Sequence, residues 1–420
     1  MSSAFTPPRI AALVLAGGRG ERLHPLTAER TKPAVPFGGK YRIVDFVLSS
    51  LLNSNIRAIF VLTQYKAQSL LEHLQLGWMH STGPGNFLVA VPAQMQAGTS
   101  WYRGTADAIY QNLRLLDRTN PHLVAVFGAD HIYKMNVHEM VRFHQRSEAA
   151  VTVACLPVPV EEASAFGVIK VDKNWKIVGF VEKPSKPPEI PGQPGQSLVS
   201  MGNYIFSTNV LVEALEEDAA DPHSDHDFGK SILPKMIKSH PVFAYDFKRN
   251  RIPLETEVES AYWRDIGTIE AYYEANLDLK NVQPKLNLYN WDWPIRSVNY
   301  GDPPAKFVFD DDARRGRAVQ SLVCAGCILA GGYVKDSVLG RNVLVDEGAE
   351  VVGSIIHDNA RIGKGARVRK AIVDKNNQIQ PRETVGQDLD RDRDRYFVSS
   401  SGIVVVSRDK DTPESRARNL

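Results

Sequence analysis

Five short segments carry residue types whose spacing suits work on phosphates. The first, Leu15-Ala-Gly-Gly-Arg-Gly-Glu-Arg-Leu23, follows an apolar run and has Lys32-Pro33 nine residues further on. Glycines after a strand let backbone N–H groups approach a phosphate closely. Arg19, Arg22 and Lys32 add fixed positive charge suited to a triphosphate. The segment is not G-x-x-x-x-G-K-[ST] and lacks the G-x-G-x-x-G spacing, so it is neither a P-loop nor a dinucleotide fingerprint. A structural turn with solvated arginines is the alternative.

The second, Trp101-Tyr-Arg-Gly-Thr-Ala-Asp-Ala-Ile109, comes after Pro92-Ala-Gln94 and opens a helix, with Thr105 as its expected N-cap. Its aromatic rings offer flat surfaces, Gly104 permits close approach, and Arg103 is a further anion ligand. Aromatic packing at a helix start would look the same. The third, Phe127-Gly-Ala-Asp-His131, puts Asp130 at the carboxyl end of a buried strand, a place to hold Mg²⁺ or to cap a helix. In the fourth, Phe180-Val-Glu-Lys-Pro184, Glu182 and Lys183 could serve a hydroxyl and a phosphate, or form an exposed ion pair. The fifth, Tyr262-Trp-Arg-Asp-Ile-Gly-Thr268, offers a second carboxylate, Asp265, or a turn with an Asp cap. No G-x-S-x-G elbow and no placed Cys or His nucleophile is present. This inventory fits phosphoryl or nucleotidyl transfer by positioning and charge stabilisation.

The elements that must hold these residues follow from periodicity. Apolar runs at Ile10–Gly18, Ile56–Thr63, Leu123–Phe127 and Val151–Leu156 alternate with amphipathic stretches such as Ala106–Asp117 and Val137–Arg146. That alternation predicts β-α-β units and a mostly parallel sheet, with ligands beyond the carboxyl ends of its strands. It continues to about Leu279. A proline-rich stretch with the acidic run Asp310-Asp311-Asp312 then reads as a connector. From Val323 aliphatic residues fall at Leu339, Val345, Val351, Ile356, Ile362, Val368, Val373 and Ile379, at intervals of 6, 6, 5, 6, 6, 5 and 6. This hexapeptide period predicts a parallel β-helix of about three coils, and Ile403–Val406 could add a last strand. The expected division is 1–280, a connector over 281–317, and a β-helix with tail over 318–420.

The 420 residues are 43% hydrophobic and 23% charged, enough for a sizeable core. Fifty Lys plus Arg against 48 Asp plus Glu leave a net charge of +2. So even a balance argues against broad binding of nucleic acid or an anionic membrane. Three cysteines make no disulfide framework, and the Cys324–Cys327 pair has no second ligand pair for zinc. Two small buried side chains are expected there. No signal peptide or membrane span is visible, so a cytoplasmic location is expected.

The segments Leu15–Leu23, Trp101–Ile109, Phe180–Pro184 and Ser200-Met-Gly-Asn-Tyr204 resemble the motifs of bacterial ADP-glucose pyrophosphorylase, from about Ala11 to Ile379. The resemblance implies an α/β fold, a Rossmann-like nucleotidyltransferase domain followed by a C-terminal left-handed parallel β-helix. It implies that ATP and glucose 1-phosphate give ADP-glucose and pyrophosphate, with Mg²⁺. Carried over by position, Leu15, Ala16, Gly17 and Gly18, with Arg19 and Lys32, would hold the ATP phosphates. Gln94 would read the adenine, beside Gly104 and Thr105. Tyr102, Gly167, Glu182 and Ser200 would line the glucose 1-phosphate pocket, and Lys183 would bind its phosphate. Asp130 and Asp265 would hold the metal, with Arg19, Asp130 and Lys183 as the catalytic set. A homotetramer is implied, controlled by anionic sugar-phosphate or carboxylate effectors, with Arg42 and Arg408 as anion contacts. Glu29 stands where enteric members carry a lysine that binds fructose 1,6-bisphosphate, which argues against that activator here. Glu21, Thr31 and Gly128-Ala129 also depart from the usual residues without removing a proposed ligand.

Overall fold

Four parallel strands carry or flank the first three motifs; three of them follow apolar runs read from the sequence and are buried on both faces, and the fourth, over 87–92, is not among those runs and is only partly buried. In the computed structural model, which describes residues 8–79, 86–94, 101–311 and 314–407, these are Ile10–Leu15 (β1), Ala58–Thr63 (β2), Phe87–Pro92 (β3) and Leu123–Gly128 (β4). β1 lies between β2 and β4, and β3 pairs outside β2, all in parallel. One face of the sheet packs on helices Ile43–Asn53, Gln68–Gly77 and Val137–Arg146. The other packs on Thr105–Tyr110, Thr208–Ala220 and Leu233–Ser239. With helices on both sides the strands need no polar face, which is why their sequences run apolar without alternation.

The sheet continues through Val151–Pro159 (β5), Gly167–Val171 (β6), Ile177–Glu182 (β7), Gln196–Ser207 (β8) and Val242–Asp246 (β9). β8 runs antiparallel to β4, β5 and β6, β7 antiparallel to β6, and β9 parallel to β5. Seven of the nine strands therefore share one direction, as a mostly parallel sheet requires, with β7 and β8 opposed. One edge of β8 serves two neighbours in turn. Asn203–Ser207 pairs with β4, whereas Leu198 and Val199 pair with β6. Its register shifts between Ser200 and Tyr204, where Gly202 takes φ +71°. The Ser200–Tyr204 motif is thus a bulge that turns one strand from one neighbour to the next and re-aims its side chains.

Beyond the helix Ile269–Asp278, three stacks of short parallel strands form the β-helix. Val334, Val351, Val368 and Val385 stack in register, and Leu339, Ile356 and Val373 stack on a second face. From Val351 to Val368 is 17 residues, the sum of the 6, 6, 5 intervals. Each face is at least five strands deep, so the helix is longer than the three coils expected. The extra length comes partly from its first strand, Lys306–Val308, which pairs with Ile328–Ala330 inside the stretch read as connector. Prolines and acids around it hid a strand of three residues. At the other end Val404–Val406 pairs in parallel with Ala371–Val373. All three cysteines are free; Cys155 and Cys327 are buried, whereas Cys324, expected to be buried with Cys327, is only half-buried. Gly39, at φ +83°, sits where a Cβ would come within 2.5 Å of Cys324 Sγ, so the chain can pass there only without a side chain. Phe37, Phe46 and Tyr272 share one core with Ile355, Ile372 and Val405, so β-helix and sheet domain pack directly together. Among the described residues no helix is long and apolar enough to cross a membrane.

Ile362 is fully buried between Val345 and Ile379. Replacing it by Ala should cost about 2–5 kcal/mol in denaturant unfolding. A loss below about 1 kcal/mol would contradict inward packing at that corner.

Candidate active site

The carboxyl ends of β1, β2 and β4 open into one cleft of about 840 Å³. Its floor is the glycine segment that follows β1. Ala16 is buried, and its N–H continues the sheet by donating to Leu62 O at 2.9 Å. The loop's carbonyls are tied down from behind. Thr31 Oγ1 lies 3.3 Å from Ala16 O and 3.0 Å from Gly18 O, and Thr27 Oγ1 donates to Gly20 O at 3.0 Å. Among the described residues no acceptor occupies the N–H groups of Gly17, Gly18 or Arg19. A loop with its carbonyls held away and its amides open is a cradle for anionic oxygen. Gly20, at φ +64°, leaves room for Lys32, whose Cβ would lie 2.8 Å from any Cβ there.

Lys32 is the centre of the charged group. Its stem is buried, with the side chain only 7% exposed, and its Nζ lies 3.1 Å from Asp265 Oδ1 and 3.5 Å from Asp130 Oδ2. The two acids, 135 positions apart, meet because Trp263–Asp265 pairs antiparallel with His131–Tyr133, setting Asp265 opposite His131. Arg22 Nη2 stands 3.6 Å from the other Asp265 oxygen. Asp130 keeps 44% of its side chain open to the cleft. Burial pushes its carboxyl up, but His131 and Lys32 outweigh that and hold it down at about 2. Two carboxylates converging on one lysine also suit a divalent cation, which takes one or two carboxylates together with substrate phosphates. Among the described residues no cluster of three or more His, Cys, Asp or Glu is built to hold a metal unaided, so bound phosphate would have to complete its shell.

The other expected residues divide into those that reach the cleft and those that do not. Leu15, Gly17, Gly18, Arg19, Tyr102, Gly104, Thr105, Gly167, Glu182 and Ser200 all line it. Arg19 is at the rim, 70% exposed, 3.7 Å from Glu21 and over the Tyr65 ring. Lys183 does not line the cleft. It sits at φ +46° with its side chain 61% exposed, 3.8 Å from Glu182. Gln94 is exposed beyond the end of β3 and outside the cleft lining. Arg42 is also outside. Its Nη1 donates to the carbonyl and hydroxyl of Ser69, and burial lowers its pKa. Arg408 lies outside the described residues.

Two local readings need correction. Arg103 is no free anion ligand, because its guanidinium and its N–H both bind Asp107, each at 2.9 Å. Thr105 does not cap its own helix, whose N-cap is Gly104. Its hydroxyl instead donates to Asp227 and accepts from Phe228 N–H, joining that helix to the turn at Phe228–Ile232. Gly104 makes the junction possible, since a Cβ there would meet His226 O at 2.2 Å.

Several cleft residues carried too little local signal to be singled out. Gln64 bonds both ways to the backbone of Tyr102, at 2.9 and 3.3 Å, clamping the second motif to the end of β2. His131 lies 3.4 Å from Asp130 and 3.9 Å from Asp265. Only its place beside Asp130 in sequence could have flagged it. Asp227 and Phe228 follow no strand and match no spacing rule.

Because the Asp130 carboxyl titrates below its unfolded value near 4, its stabilising contribution is complete above about pH 4 and is lost as pH falls toward 2. Asp130→Asn should therefore lose less stability than the parent between pH 4 and 2 in thermal unfolding. Equal losses would contradict the depressed carboxyl.

Residues 11–282 match the family described as nucleotidyl transferase, and residues 303–406 match the GlmU-like C-terminal hexapeptide family. The second match agrees with a left-handed β-helix. The chain is 52% identical to a glucose-1-phosphate adenylyltransferase of Thermus thermophilus over 406 residues, covering 95% of this chain and 98% of that protein. It is 48% identical to proteins of the same name from an Anaeromyxobacter species and from Corynebacterium jeikeium, with the same coverage.

Proposed function

The chain belongs to the glucose-1-phosphate adenylyltransferase family, and from that premise we propose that it transfers the adenylyl group of ATP to glucose 1-phosphate. The products are ADP-glucose and pyrophosphate, the step that makes a glucosyl donor for α-glucan synthesis. The observation that carries the reading is the open amide cradle of Gly17–Arg19 beside a lysine shared by two carboxylates.

A phosphate oxygen of the sugar attacks the α-phosphorus in line, and the bond to the bridging oxygen of pyrophosphate breaks. The nucleophile is already an anion, so no general base is needed. The difficulty is repulsion between two anions, and the site answers with fixed positive charge and oriented N–H groups. The loop amides with Arg19 and Lys32 hold the triphosphate. Gly104 and Thr105 shape the nucleoside side, with Gln94 reading adenine. Tyr102, Gly167, Glu182 and Ser200 hold the sugar, and Lys183 takes its phosphate, swinging in from the rim. Mg²⁺ on Asp130 and Asp265 would neutralise charge on the phosphates and polarise them. One phosphoanhydride forms as another breaks, so the reaction runs readily both ways.

In this reading residues 1–280 are catalytic, and the β-helix serves packing and assembly into a homotetramer in the cytoplasm. Anionic sugar-phosphate or carboxylate effectors would act at Arg42 and Arg408.

Turnover compared across ATP, UTP, GTP and CTP with several sugar phosphates should favour ATP and glucose 1-phosphate. A UTP preference would overturn the adenylyl assignment. Asp130→Asn should lower kcat by about 10²–10³, and activity retained within about tenfold would exclude its metal role.

A further inference from the structure

We propose that Asp374, on the β-helix, is a positioning residue for the reaction. It fixes both chain segments whose side chains meet at the Lys32–Asp265 contact. The proposal rests on the activity proposed above and extends it to a residue outside the cleft.

The argument is a closed ring of contacts. Asp374 follows the strand Ala371–Val373, which is paired on both sides, and its N–H donates to Val406 O at 2.9 Å. The carboxylate is therefore mounted on a rigid coil. It takes the Arg30 guanidinium in two parallel bonds, one of 3.0 Å, with Arg30 only 2% exposed. The next residue is Thr31, whose hydroxyl lies against the carbonyls of Ala16 and Gly18 behind the amide cradle. The one after that is Lys32. Three consecutive side chains thus grip the β-helix, the glycine loop and the two acids.

The other arm of the ring starts from the same carboxylate. Asp374 Oδ1 lies 2.9 Å from His357 Nδ1, and His357 Nε2 lies 2.9 Å from the hydroxyl of Tyr272. Tyr272 is in the helix Ile269–Asp278, which begins four residues after Asp265. Asp265 then closes the ring by holding Lys32 at 3.1 Å. All four side chains of the hub are buried. A bidentate guanidinium–carboxylate pair has one geometry, so it transmits position as well as charge. Small displacement of phosphate-holding groups is costly to rate, which gives the fold a reason to anchor them on a stiff body.

The test compares the intact enzyme with three variants below their unfolding temperatures. Asp374→Asn leaves the Arg30 charge uncompensated and could unfold. Arg30→Met combined with Asp374→Leu removes both charges and should fold. Tyr273→Phe loosens the same domain contact, because the Tyr273 hydroxyl bonds Gly353 O, but it leaves the ring whole. The expected result for the first two is a fall in kcat of about ten- to a hundredfold. KM for glucose 1-phosphate should stay within about twofold, since the sugar side is untouched. Hydrogen exchange should quicken at residues 15–20 in these two and stay at the parent's rate in Tyr273→Phe. Unchanged kcat and unchanged exchange in the folded double variant would overturn the proposal. So would an equal loss in Tyr273→Phe, which would reduce the effect to general loosening. If the parent fails to make ADP-glucose, the activity reading fails, and the exchange measurement alone decides the ring.

Discussion

One ammonium group organises the cleft. The Lys32 stem is packed against Gly20, so its charge cannot retreat into solvent, and two carboxylates from distant parts of the chain converge on it. Without it, Asp130 and Asp265 would face each other at close range and repel. With it, both carboxylates are held in place before any substrate arrives. The surrounding devices follow from that need. A strand pairing brings the second acid in, a glycine makes space for the lysine stem, and two threonines that precede the lysine pin the glycine loop to the same segment.

What was most legible in the sequence was the glycine turn at the end of an apolar run, since its place after β1 needed only the local pattern. The β-helix was equally visible, because a repeat multiplies a weak signal. What stayed hidden depended on partners remote in sequence. Arg103 looked like a free cation because nothing in a string shows that Asp107, one helical turn away, claims it twice. Thr105 had the right type and place for a cap, yet tertiary structure gave its hydroxyl a better partner in Asp227, 122 residues on. The strand Lys306–Val308 was lost among prolines and acids, since three residues carry no readable period. Gln64 and the hub around Asp374 could be found only in space.

The two domains are held together by different devices. The cleft is assembled largely from loops at strand ends. Behind it the β-helix offers ladders of backbone bonds and a core of stacked aliphatic side chains. Arg30 and Tyr272 are among the places where the sheet domain is fastened to the β-helix.

The 17-residue coil also bears on how such a chain can change over time. Each coil pairs only with the coils before and after it, so stability accumulates one layer at a time. Whole coils could be gained or lost at the end remote from the helix Ile269–Asp278 while the docked layers keep their faces. Other spacings also occur, 16 residues from Arg317 to Tyr333 and 22 from Lys306 to Ile328, so corners absorb some change in length. A shift of the layer that carries Asp374 would still part it from Arg30. The domain is thus free to vary at its far coils, and the buried ion pair is what fixes the register of the docked one.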